Sequence, residues 1–161
     1  MIRMKTPFAF SAILGCTLLC ASLRAQEPVT PASNAEALFH SQDKKLDANK
    51  QVVFHIERDL LEAGHWELAD RYLSERYLQH NPNVPSGRAT VTKYFAGRPS
   101  TPIPEKMKTK IVSVTAEGDL VVVALVREYK DPAKMYTTTW FDMWRIQDGK
   151  ADEHWDCAMK N

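Results

Sequence analysis

Four side chains in this 161-residue sequence are candidates for moving protons: His80, Asp142, His154 and Asp156. His154 and Asp156 stand two apart in A-D-E-H-W-D-C, and Trp140, Trp144 and Trp155 lie close to them in the chain. A carboxylate walled by indoles loses hydration, which favours its acid form and suits it to taking and returning a proton near neutral pH. Asp156 is the expected acid/base group, tuned by His154 or Asp142. The plainer alternative is that Asp156 bonds to backbone near a strand end. From the other side of a pocket, His80 and Asn81 are placed to orient a ligand carbonyl. Tyr77, Trp140 and Trp144 read as cavity wall touching the ligand.

The element that must position these groups is a hairpin. Thr137 to Ile146 is rich in β-branched and aromatic residues, which suit a pleated, half-buried surface. Asp148-Gly149 supplies turn chemistry, and Ala151 to Cys157 follows as a second strand. A three-residue loop with Gly149 in a bulge pairs Ile146 with Lys150, setting Asp142 opposite His154 and Trp140 opposite Asp156. A two-residue loop instead brings Phe141 and Met143 beside them, because a one-residue slip swaps faces. The bulged loop is the expected form, and in either register His154 and Asp156 share one face.

D-M-W-R-I-Q-D-G-K-A-D-E-H-W-D resembles the closing hairpin of SnoaL-like proteins, within the nuclear-transport-factor-2-like superfamily. Y-L-S-E-R-Y-L-Q-H-N-P, from Tyr72 to Pro82, and S-G-R-A-T-V-T-K-Y-F are similar to the front half of the same family. The resemblance implies helices packed across a strongly curved antiparallel sheet that encloses a conical cavity. It also implies that Asp156 matches the acid/base aspartate of the cyclases. Asp142 departs from that pattern, since some relatives carry histidine near this place. The fold hosts cyclases, isomerases, dehydratases and non-catalytic binders, so it does not by itself name an activity.

Residues 1–25 read as a secretory signal peptide: a basic start, an apolar run from Thr6 to Leu23, and no acidic residue before Glu27. Cleavage after Ala25 would leave the protein periplasmic or secreted. Ile13-Leu14-Gly15-Cys16 resembles a lipobox, so lipid anchoring at Cys16 is the alternative; the run is short for a stable membrane span. Removal of Arg3, Lys5 and Arg24 takes the net charge from +1 to −2, which gives no electrostatic footprint for nucleic acid. Only Cys157 would remain of the cysteines, so no internal disulfide is expected, and its place beside Trp155 reads as a small buried apolar residue.

Residues 26–42, with small polar and Pro-rich clusters, read as a flexible tether. The domain occupies 43–161. Leu46, Val53, Ile56 and Leu60 make one helical stripe ending at Gly64, with Lys, Asp and Glu on the other side. Trp66 to Leu73 is a second, short helix, and Ser86 caps a third that stops at Gly97. Arg76 to Pro82 is a short extended segment. Met107 to Thr115, Leu120 to Tyr129 and the two ribbon strands complete a four-stranded antiparallel run. Helices followed by strands give an α+β fold.

H-x-D on one strand plus His80 would supply three metal ligands, but no H-E-x-x-H or paired-cysteine pattern accompanies them, so no metal and no cofactor are expected. The expected partner is a small apolar or carbonyl-containing ligand, and a homodimer is compatible with the chain. Two functions fit: acid/base catalysis of the aldol cyclase, isomerase or dehydratase type on a carbonyl compound, or non-catalytic carriage of an apolar ligand.

Overall fold

Asp43 opens the first helix, its carboxylate accepting from the N–H groups of Lys45 and Leu46 at 2.8 and 3.0 Å. Residues 27–131 and 134–161 are described by the structure, a computed structural model. The expected export signal lies outside them. Helix α1 (Lys44–His55) continues into a π-helical turn, Ile56–Glu62. That wider turn carries Ile56, Glu57, Asp59 and Leu60 all into buried positions. Gly64 ends it with φ 80°, and a Cβ there would lie 3.1 Å from the carbonyl oxygen of Pro99. A 3-10 turn at Trp66–Leu68 leads into α2 (Ala69–Tyr72), and α3 spans Arg88–Phe95. Ser86 does not cap α3. Its hydroxyl instead accepts from Gln79 N–H at 3.0 Å, tying the loop to the preceding strand.

Five strands form one curved sheet: β1 (Leu73–Gln79), β2 (Ile111–Glu117), β3 (Leu120–Asp131), β4 (Lys134–Gln147) and β5 (Lys150–Asp156), in the order β1-β5-β4-β3-β2. The architecture is α+β, with three helices packed on that sheet. The four antiparallel strands expected are present, but the segment before Pro82 adds a fifth, paired parallel to β5. The core runs between helices and sheet through Val53, Ile56, Leu60, Leu73, Val91, Val121, Val123 and Trp144. Among the described residues no helix is long and apolar enough to cross a membrane.

The stretch read as a tether is docked on the domain. Val29 N–H bonds Thr137 Oγ1 at 2.8 Å and Ala32 N–H bonds the Ile111 carbonyl at 2.8 Å. The 3-10 turn Glu36–Phe39 then inserts Phe39, fully buried, against Phe54 at a ring separation of 5.4 Å. Burial of that ring outweighs the composition that suggested flexibility.

The hairpin differs from the expected register in an instructive way. The loop has two residues, Asp148 (φ 49°) and Gly149 (φ 73°), pairing Gln147 with Lys150. The bulge lies one step inside the strand instead: Ile146 pairs with Ala151 and Arg145 with Glu153, so Asp152 is the extra residue. Two slips of one residue restore the original face. Asp142 therefore stands opposite Asp156, and Trp144 opposite His154.

Candidate active site

A cavity of about 610 Å³ opens between the helices and the concave side of the sheet. Ile56 and Leu60 come from the π turn, Val91 and Phe95 from α3, and Trp140 and Trp144 from β4. Asp142, His154 and Asp156 all line it, as do Tyr77 and Asn81. The ribbon brings the three titratable groups together because residues i, i+2 and their cross-strand partners share a face.

Their bonds are unequal. Asp142 is buried, and its Oδ1 accepts from Trp140 Nε1 at 3.1 Å and faces His154 Nε2 at 3.1 Å. Its Oδ2 accepts no hydrogen bond among the described residues and is not sealed from the cavity. His154 Nδ1 faces Gln79 Oε1 at 2.8 Å, an oxygen that also accepts from Asn81 N–H at 3.2 Å. Oxygens thus flank both ring nitrogens. As an imidazolium His154 donates to both; as a neutral ring it leaves a bare nitrogen facing one of them. Asp156 has both oxygens engaged, Oδ2 with Asn81 Nδ2 at 2.6 Å and Oδ1 with Ala158 N–H at 2.8 Å. Its bond to strand-end backbone coexists with its place in the cavity.

Tyr77 is buried beneath Trp144, whose Nε1–H it accepts at 3.3 Å. No acceptor among the described residues takes the phenol's own hydrogen. Burial pushes this phenol well above its usual range; the Trp144 N–H opposes that, and the charges of Asp142, Asp156 and Glu57 add to it. Tyr77 is therefore a standing neutral donor.

His80 is not in the cavity. It lies on the outer face, exposed, stacked on Trp155 at 4.9 Å and bonded through Nε2 to Glu153 Oε1 at 2.8 Å. The reason is alternation along β1: Gln79 is directed at His154, so His80 falls on the other side and its backbone N–H bonds the His154 carbonyl at 2.9 Å. Cys157 is likewise exposed, at the cavity edge and not buried in a core.

The SnoaL-like domain model matches residues 55–154, well over half of the chain. The chain belongs to the SnoaL-like domain family. Among solved structures, this SnoaL-like chain is similar to a proposed polyketide cyclase from Acidithiobacillus ferrooxidans, at 17% identity and TM-score 0.52, covering 72% of this chain and 89% of that one. A proposed polyketide cyclase from Bacillus cereus is 19% identical, with TM-score 0.52 and coverage of 81% and 84%. A nuclear-transport-factor-2-like protein of unknown function from Burkholderia pseudomallei is 16% identical, with TM-score 0.50 and coverage of 68% and 88%. At these identities the likeness is one of fold. No curated protein matches the chain.

Two groups of this SnoaL-like site escaped the sequence reading. Gln79 was passed over within its motif, although its position next to His80 put it on the inward face. Glu57 was assigned to the polar side of the first helix, yet it is only 2% exposed and its Oε1 has no hydrogen-bond partner among the described residues. Burial, with the charges of Asp142 and Glu62 adding, holds its carboxyl well above the ordinary glutamate range. As for metal binding, one donor atom each from Asp142, His154 and Asp156 lies within 4.8 Å of the others, a one-histidine, two-carboxylate set that suits a divalent cation by donor type. His80 is not part of it.

Proposed function

We propose that this SnoaL-like protein is exported and uses its cavity for acid/base chemistry on a small carbonyl compound. The observation that carries the reading is the pairing of an open carboxylate oxygen, Asp142 Oδ2, with an unspent donor, the Tyr77 hydroxyl, on one cavity wall. Asp142 Oδ2 takes the proton α to the carbonyl. The C–H electron pair becomes the enolate double bond, and the carbonyl oxygen accepts a hydrogen bond from Tyr77 as charge develops on it. The enolate carbon then attacks a second carbonyl, whose π pair moves onto its oxygen and takes the proton back from Asp142, or it recovers that proton itself at a new position. His154 beside Oδ1 and the Trp140 indole orient Asp142 so that Oδ2 is left for the ligand, and Asp156, pinned by Asn81, is the second carboxyl group of the site. This reading passes the base role from Asp156, which the family resemblance favours, to Asp142. Export is supported by the basic and apolar start of the chain.

A generic test needs no native substrate. Aryl ketones incubated with the mature domain in D₂O should exchange their α-protons faster than in buffer, as seen by proton NMR, and Asp142→Asn should abolish the gain. A ketone that binds but shows no accelerated exchange would leave the second reading, a non-catalytic carrier. The complete internal bonding of Asp156 is the observation that favours that alternative.

A further inference from the structure

Two guanidinium groups line the cavity without an acidic partner. Arg127, on β3, lies 4.2 Å over the ring of Trp140 and 5.8 Å over that of Tyr129. Arg98, just beyond α3, lies 4.4 Å over Phe95. All three rings line the same cavity, and both arginines are exposed. Arg58, Arg76 and Arg145 each meet a carboxylate. Among the described residues Arg98 and Arg127 meet none. A guanidinium held over an aromatic ring gains orientation from the ring while N–H donors remain for a ligand, and a guanidinium can grip a carboxylate with two parallel hydrogen bonds.

The position of Arg127 relates this edge to the proposed reacting centre. The indole under Arg127 is the one whose Nε1–H bonds Asp142 Oδ1 at 3.1 Å. A cation and the proposed base are thus separated by one side chain. Asp142 and Asp156 make the cavity floor unfavourable to an anion, whereas the arginines make its rim favourable. An occupant with charge at one end and a neutral reactive group at the other satisfies both.

We infer that the cavity selects an amphipathic oxo acid, with its carboxylate at the Arg127 and Arg98 rim and its carbonyl at Tyr77 and Asp142. The inference rests on the reading of the cavity as a carbonyl-compound site and adds the charge of the ligand.

The test compares 4-oxo-4-phenylbutanoate with its methyl ester, which share the aryl ketone and differ in charge. Dissociation constants from calorimetry should favour the acid by about 10- to 100-fold, the weight of a charge-assisted hydrogen bond. Arg127→Gln, and to a smaller degree Arg98→Gln, should bring the two ligands within about threefold of each other while leaving the ester's affinity unchanged. Added salt should weaken the acid alone. Equal binding of acid and ester, or a preference that survives both substitutions, would overturn the charge assignment and leave the cavity reading intact. Failure of both ligands to bind would overturn both. Matching thermal melts confirm that the exposed substitutions leave the fold in place.

Discussion

Asp142 and Asp156 stand directly opposite each other across the β4–β5 ribbon, yet of the two only Asp142 keeps an oxygen free of hydrogen bonds from the described residues. Two carboxylates on one wall are thereby made unequal by their partners: indole and imidazole on one, carboxamide and backbone on the other.

The two asparagine variants should separate their roles. Asp142→Asn preserves shape and removes the base, so ketone binding persists while α-proton exchange falls by about two to four orders of magnitude. Asp156→Asn disturbs the bond to Asn81 and should change affinity more than rate. Reversed phenotypes would return the base role to Asp156.

Glu57 gives a pH signature in stability. Its folded carboxyl titrates well above the ordinary value of 4.5, so the folded state holds a proton that the unfolded chain releases. Its contribution is complete below about pH 4.5 and is lost as pH rises toward the folded value, at up to about 1.4 kcal/mol per pH unit. Glu57→Gln stays neutral throughout. Urea midpoints should therefore show wild type losing ground to the variant steadily between pH 5 and its folded value. Asp142, Glu62 and Tyr77 are the titratable groups that act on or with it. Parallel profiles for the two proteins would sink this account.

Phe39 tests whether the N-terminal segment is structural. Phe39→Ala should cost about 3–5 kcal/mol, as for other fully buried aromatic rings. A loss below about 1 kcal/mol in chemical denaturation would restore the tether reading.

Export predicts the mature end. Protein recovered from its native host should begin near Gln26 and carry no lipid. Mass spectrometry finding an acylated Cys16 would replace cleavage with anchoring.

Much of the fold was legible because periodicity dictates it. Alternation put His154 and Asp156 on one face and Trp140, Asp142 and Trp144 on one face, while their meeting rested on the expected three-residue loop; the structure brings them together by a two-residue loop and a bulge at Asp152. What failed was the local detail that periodicity does not encode. No glycine marks the bulge at Asp152, which is held by Ser74 Oγ at 2.8 Å and by Arg76, residues of a strand nearly 80 positions away. Glu57 was hidden for a different reason: it stands four residues after Val53 and three before Leu60, on the apolar stripe itself, so its charge and not its spacing placed it with the polar side. His80 was attractive as a histidine beside a motif, but a strand gives neighbouring side chains opposite faces.

The bulge at Asp152 gives the last strand something like a reading frame. Substitutions along Glu153–Asp156 would alter one side chain at a time. Flattening the bulge with Asp152 kept would instead rotate the whole segment by half a turn, pairing Trp144 with Glu153 and Asp142 with Trp155 and sending His154 and Asp156 outward. The ribbon could still close its hydrogen bonds, so such a slip would exchange the chemistry of the cavity wall with no change in the strand's composition. Changes in register, more than changes in residue type, are therefore what this wall is least able to absorb.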